Sequence, residues 1–115
     1  MTPPADPPTP DRRAPRRRVL LTGIVTYNDG AISFRCTIRD RSEHGARLKL
    51  PAGIVPPPEV WLIEVTEAIA YRAHIVWRLG EQVGVELREP LNIRAAGGDL
   101  LQRQLHALWL AAAAS

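Results

Sequence analysis

One segment, residues 32–39, constrains the fold more than any other, because apolar and polar side chains alternate along it without interruption. Its apolar members are Ile32, Phe34, Cys36 and Ile38, and its polar members are Ser33, Arg35, Thr37 and Arg39. A repeat of two is the repeat of a β-strand that buries one face, whereas a helix repeats every 3.6 residues or so. The segment therefore predicts a half-buried β-strand.

Further strand signals lie on both sides of this segment. Residues 19–27 form a β-branched and aromatic run, and the Asn28-Asp29-Gly30 sequence after it accepts the positive φ angles of a hairpin turn. The other segments with strand character are residues 46–50, 60–65, 69–78 and 83–87. Six strands joined mostly by short turns predict an all-β fold, a small six-stranded antiparallel barrel.

The apolar period changes after Pro90 and the Gly97-Gly98 pair. Asp99 is a good helix cap, Gln102 follows it at the spacing of a capping box, and Leu101, Leu105 and Leu108 form an apolar stripe. These signals predict a C-terminal helix over about Leu100–Ala113 that packs against the barrel. Trp61, Trp77 and Trp109 occupy apolar positions, so we expect them in the core or at the helix contact.

The chain divides into three parts. A length of 115 residues suits a single domain with one core. Residues 1–10 contain five prolines and almost nothing to bury, so we expect a disordered tail. The barrel domain, including an N-terminal arginine arm, is predicted at residues 11–90, and a linker and helix at 91–115.

Composition excludes several classes of protein. Apolar residues make up 45% of the chain and charged residues 23%, which is the balance of a globular protein. Because no apolar run reaches the roughly 18 residues that span a bilayer, and the N-terminus is not apolar, we expect a cytoplasmic protein without a membrane span or signal peptide.

Catalytic and metal-binding patterns are not recognisable in the sequence. The single Cys36 excludes an internal disulfide, and His44, His74 and His106 lack the spacing of zinc ligands. We find no Ser-His-Asp order, phosphate-binding glycine loop or carboxylate pair with a supporting base. We therefore expect a protein that is not an enzyme and carries neither metal nor cofactor.

The excess positive charge is concentrated near the N-terminus. The net charge is +3, and residues 1–18 hold five arginines against two aspartates. We call residues 11–18 the arginine arm; its arginines are Arg12, Arg13, Arg16, Arg17 and Arg18. Because Pro15 disfavours a helix, we expect the arm to be extended. Taken alone, such an arm is typical of a solvated segment or of nonspecific attachment to nucleic acid or acidic lipid.

A second motif follows the alternating strand directly. It is Asp40-Arg41-Ser42-Glu43-His44-Gly45, which we call the 40–45 turn. Ser42 can cap such a turn, and Gly45 can adopt backbone conformations closed to other residues. Taken alone, the motif is an ordinary connection between two strands.

Together the two motifs resemble those of the PilZ domain family, in which R-x-x-x-R precedes the first strand and D/N-x-S-x-x-G follows the second. The first spacing is matched by Arg12 with Arg16 and by Arg13 with Arg17, and the second motif by Asp40, Ser42 and Gly45. The resemblance covers residues 11–87, including Ile75-Val76-Trp77 and residues 83–87, which resemble the family's closing strands. Because Arg16 follows Pro15, we favour the first arginine pair, and the second stays open.

The resemblance implies a six-stranded barrel, often with a C-terminal helix, that binds the bacterial second messenger cyclic di-GMP. The chemistry of the motifs suits that ligand. Arginine donates a bidentate pair of hydrogen bonds to phosphate or to guanine O6 and N7, and an ionised Asp40 accepts from guanine's adjacent nitrogen donors. Ser42 would hold the turn or bond the ligand, and Gly45 would permit close approach of the backbone.

These considerations predict a cyclic di-GMP receptor that passes ligand binding to a partner protein. The alternative is a basic β-barrel that binds RNA or single-stranded DNA. Aromatic residues, which such proteins use to stack bases, make up only 5% of the chain, so we expect nucleic acid binding less than dinucleotide binding. A PilZ-like adaptor without ligand binding is a third reading, against which the intact motifs argue.

Overall fold

The computed structural model describes residues 17–114. Within that range the chain forms six strands and a C-terminal helix: β1 (Arg17–Tyr27), β2 (Ile32–Arg41), β3 (Gly45–Lys49), β4 (Glu59–Glu64), β5 (Ile69–Leu79), β6 (Gln82–Asn92) and α1 (Leu100–Ala113). Neighbouring strands pair antiparallel in the order β1-β2-β3-β6-β5-β4, and β1 pairs with β4 to close the barrel. The predicted fold class is confirmed. The predicted tail at residues 1–10 lies outside the described residues.

Several strands run further than the sequence indicates, and β2 includes Asp40 and Arg41, the first two residues of the 40–45 turn. β1 begins at Arg17 rather than Val19, because Arg17 and Arg18 pair with the end of β2. β6 continues through Pro90 to Asn92. Proline lacks the amide hydrogen that a strand interior needs, but it is tolerated where the pairing is irregular. The register between β5 and β6 shifts at this point, and Glu89 has a φ of 54°.

The alternation in β2 has the predicted consequence for burial in the second half of the strand, whereas Ile32 at its start is 39% exposed. Cys36 and Ile38 are buried, whereas Arg35 and Arg39 are exposed. The barrel interior is built from such inward residues of every strand, together with Leu50 just after β3: Val25, Cys36, Ile38, Leu48, Leu50, Val60, Leu62, Ala73, Val83, Val85 and Leu87. Burial raises the pKa of the Cys36 thiol to about 12, so this thiol stays protonated and unreactive near neutral pH.

The turn between β1 and β2 also follows the sequence prediction. Asn28, Asp29 and Gly30 all have positive φ angles, of 56°, 54° and 85°. These are the residue types that adopt left-handed backbone with the least strain. The hairpin therefore brings β2 back alongside β1.

The helix packs on the outside of the barrel and creates a second core. Its predicted capping box is present, since Asp99 Oδ1 accepts from the Gln102 amide at 2.9 Å and Gln102 Oε1 accepts from the Asp99 amide at 3.0 Å. The second core consists of Ile24, Ile63, Ala68, Ala70, Ile93 and Leu105, with Trp61 and Trp109 at its edge. Trp109 Nε1 donates to the Val65 carbonyl at 2.8 Å. No helix in residues 17–114 is long and apolar enough to span a membrane.

Because α1 packs on the barrel through one side only, we expect alanine substitutions of two of its leucines to change the free energy of unfolding by different amounts. Leu105 is 1% exposed in the second core, whereas Leu110 on the same helix is 52% exposed. Because Leu105→Ala leaves a cavity, we expect it to lower the free energy of unfolding by about 2 to 5 kcal/mol. Leu110→Ala makes the same chemical change on the exposed side, so it is the matched control. Urea denaturation measures both, and equal losses would show that the helix is not docked through Leu105.

Candidate functional site

A β-bulge in β2 precedes the 40–45 turn. Ile38 lies opposite Leu48 and Asp40 lies opposite Arg47, so one extra residue is accommodated between the two pairs. Without it, Asp40 would fall on the interior face with Cys36 and Ile38. Bulges re-aim side chains in this way. Asp40 therefore joins Arg47 on the outer face of the barrel.

The Asp40 carboxylate is held by Arg47. Arg47 Nε donates to Asp40 Oδ2 at 2.5 Å, and Arg47 Nη1 donates to Gln82 Oε1 at 2.6 Å. The Asp40 side chain is 9% exposed and that of Arg47 is 29% exposed. A charge-assisted hydrogen bond in so sheltered a place fixes both side chains. Arg47 thus belongs to the site, although the sequence motifs do not include it.

The 40–45 turn is closed by the residues that the motif specifies. The Ser42 amide donates to the Gly45 carbonyl at 2.9 Å, and Ser42 Oγ lies 3.4 Å from the same oxygen. The Leu87 amide donates to the His44 carbonyl at 2.8 Å, which ties the turn to β6. Ser42 therefore closes the turn through its backbone amide, and its hydroxyl lies near the same oxygen.

The expected reason for glycine at position 45 is partly wrong. Gly45 is the first residue of β3, opposite Glu86, and is not among the glycines with positive φ. Close approach explains it better, because a Cβ at this position would lie 3.2 Å from the Val85 carbonyl oxygen. The neighbouring strand, rather than backbone conformation, therefore favours glycine here.

An aromatic side chain lies in the same row of the outer face. Asp40, Arg47, Gly84 and Trp77 occupy successive strands in register. A Cβ on Gly84 would lie 2.0 Å from Trp77 Nε1, so the indole covers the glycine. The expectation that Trp77 joins the core or the helix contact is wrong, because the register shift between Ile75 and Trp77 interrupts the alternation.

The structure brings the end of the arginine arm to the 40–45 turn. Arg17 lies opposite Arg41, and Arg18 lies opposite Asp40, in the pairing of β1 with β2. Both arginines are exposed. The last two residues of the arm thus lie on the strand adjacent to the start of the 40–45 turn. Arg12, Arg13 and Arg16 lie outside the described residues.

The histidines are placed apart from one another. His74 Nδ1 lies 2.5 Å from Glu59 Oε2, His106 Nδ1 lies 2.8 Å from the Ile93 carbonyl oxygen, and His44 is near Glu43 in the turn. Across residues 17–114, no group of three or more His, Cys, Asp or Glu side chains is arranged to hold a metal ion.

Comparison with known proteins adds two findings. The model of the PilZ domain family matches residues 10–107. Among solved structures, the PilZ domain of CeSA from a cellulose-synthesizing bacterium is similar in fold, with a TM-score of 0.51 and 22% sequence identity over 83% of this chain and 92% of that one. Among curated proteins no match is found.

The Asp40–Arg47 contact predicts strong energetic coupling. In a double-mutant cycle with Asp40→Ala and Arg47→Ala, we expect a coupling energy of about 1 to 3 kcal/mol. Each single substitution leaves the remaining charged side chain partly buried without its partner. The matched control is the ion pair of Lys49 with Glu81, whose side chains are 41% and 42% exposed. Lys49 Nζ lies 2.7 Å from Glu81 Oε1. We expect about 1 kcal/mol or less there. Chemical denaturation gives both values, and equal coupling would contradict a fixed Asp40 carboxylate.

Proposed function

We propose that this chain, which belongs to the PilZ domain family, is a cytoplasmic receptor that binds cyclic di-GMP on the outer face of its barrel and passes that binding to a partner protein. The observation that carries the proposal is the pairing of Arg18 with Asp40. Arg18 is the last residue of the arginine arm and Asp40 is the first residue of the 40–45 turn, so this pairing supports a single site formed by arm and turn.

The arm suits the phosphates and the guanine acceptors of the dinucleotide. Each arginine of the R-x-x-x-R spacing, Arg12 with Arg16 or Arg13 with Arg17, offers a planar fork to a phosphate or to guanine O6 and N7. Arg17 is exposed at the start of β1, and the next residue, Arg18, pairs with Asp40. A ligand bound there would relieve the mutual repulsion of the clustered arginines.

The turn suits the donor edge of guanine. Arg47 binds Oδ2 of Asp40, and Oδ1 is a second acceptor on the same carboxylate. In our proposal Asp40 is shared between Arg47 and the base, so the arginine orients the carboxylate that distinguishes guanine from adenine. The Ser42–Gly45 bond closes the turn, and the absence of a Cβ at Gly45 lets the backbone pass close to Val85 of β6.

Transmission to a partner follows from the change on the outer face. An arm that covers the turn when ligand is bound alters both the charge and the shape of that face. A partner protein would then distinguish two states of the same surface.

Individual contacts predict measurable losses of affinity. We expect Arg12→Ala, Arg16→Ala and Asp40→Ala each to weaken cyclic di-GMP binding roughly tenfold or more, since each removes a charge-assisted bond of about 1.5 to 3 kcal/mol. Isothermal titration calorimetry measures the affinities, and circular dichroism checks that each variant is folded. Arg103→Ala, on the exposed side of α1, is the matched control. Wild-type affinity in all three variants, and in Arg13→Ala and Arg17→Ala, would refute this site.

Base selectivity provides an independent prediction. Because Asp40 requires adjacent nitrogen donors, we expect cyclic di-GMP to be bound more tightly than cyclic di-AMP or single-stranded oligonucleotides. Competition against labelled cyclic di-GMP measures the order. If all three compete equally, the function is instead nonspecific binding of nucleic acid through the basic arm.

A further inference from the structure

We infer that Arg41 is a positioning residue, which holds the 40–45 turn to the far side of the barrel through Tyr71 and Glu64. Arg41 occupies a variable place in the D-x-S-x-x-G motif, so the motif assigns it no role. The inference rests on the proposed function, because it concerns the turn that we assign to the ligand.

The bulge that turns Asp40 outward sends Arg41 the other way. Arg41 lies opposite Ala46, which packs against the interior core. Its side chain therefore enters the end of the barrel instead of the outer face. Its exposed fraction is 18% and that of Glu64 is 8%, so both charges are largely sheltered from water.

The guanidinium makes contacts in three directions. Nη2 donates to Tyr71 Oη at 2.7 Å and lies 3.5 Å from Glu64 Oε1. Nη1 donates to the backbone carbonyl of Ser42. The guanidinium carbon also lies 4.9 Å from the centre of the Tyr71 ring. A planar group with several donors can satisfy these partners together, whereas a lysine ammonium lacks that geometry.

These contacts complete the support of the turn. The bond from the Leu87 amide to the His44 carbonyl ties the turn to β6. Arg41 ties the Ser42 carbonyl to β4 and β5, which carry Glu64 and Tyr71. The turn is thus held from both sides, and the adjoining Asp40 carboxylate is presented in one place. Holding a binding group in its bound position reduces the ordering cost of ligand binding.

The environment of Tyr71 supports the arrangement. Burial raises the pKa of the Tyr71 phenol, while Arg41 acts in the opposite direction. The phenol therefore stays neutral at physiological pH, and its oxygen remains an acceptor for the guanidinium.

The experiment must separate positioning from simple stability. Arg41→Met leaves Glu64 buried without a partner, so we expect this variant to melt at a lower temperature. Arg41→Met/Glu64→Gln removes both charges together, and we expect its melting temperature to return toward that of the wild type. The double variant still lacks the bond to the Ser42 carbonyl. Arg39→Met, which changes an exposed arginine of the same strand, is the matched control.

Two measurements on the double variant test the inference. We expect hydrogen exchange at the Ser42 and Leu87 amides to accelerate roughly tenfold relative to the other strand amides, because both donate to carbonyls of the turn. We also expect the affinity for cyclic di-GMP to fall roughly tenfold. Arg41→Lys keeps the positive charge beside Glu64 but lacks the planar guanidinium with its several donors. We expect its affinity for cyclic di-GMP to lie between those of the wild type and the double variant.

The outcomes distinguish this inference from the proposed function. If the double variant exchanges and binds as the wild type does, Arg41 serves stability alone and the inference is wrong while the receptor function stands. If the wild type does not bind cyclic di-GMP, the proposed function fails. In that case hydrogen exchange at the Ser42 and Leu87 amides of the double variant still tests whether Arg41 holds the turn. If exchange there is the same as in the wild type, the inference about Arg41 is also wrong.

Discussion

The arrangement of the site depends on one irregularity in the pairing of β2 with β3. The residue accommodated between Ile38 and Asp40 reverses the faces on which the following side chains lie. Asp40 then meets Arg47 on the outside, and Arg41 meets Tyr71 and Glu64 at the end of the barrel. A regular strand would put Asp40 among apolar side chains, where an ionised carboxylate is strongly disfavoured without a partner. The bulge thus makes a buried strand compatible with a charged site.

Closure of the barrel and docking of the helix determine where that site can lie. β1 contributes Val25 to the interior core and Ile24 to the second core beneath α1. The helix consequently covers the outer face near β1 and β4, where Trp109 bonds to the Val65 carbonyl. The row from Asp40 to Trp77 runs across β2, β3, β6 and β5 instead. One sheet therefore supports packing and the candidate site on different parts of its outer face.

Charge is distributed so that the site differs from the rest of the domain. Several arginines of the barrel contact carboxylates: Arg41 with Glu64, Arg47 with Asp40, and Arg88 with Glu86. The net charge of +3 comes from the first 18 residues, where five arginines face two aspartates. The excess positive charge of the chain therefore belongs to the segment that ends at Arg18, and Arg18 pairs with Asp40.

The sequence by itself determined the elements and the two motifs, because these depend on neighbouring residues. Alternation identified β2, positive-φ residue types identified the turn after Tyr27, and the Asp99–Gln102 pair located the start of α1. Only the tertiary structure decided the early start of β1, the place of Trp77 and the reason for glycine at position 45. It also decided that Arg41 bonds to Tyr71, 30 residues away along the chain, and that Arg47 bonds to Gln82, 35 residues away. Such contacts depend on strand register and on bulges, and register is set by the packing of distant strands rather than by any local pattern.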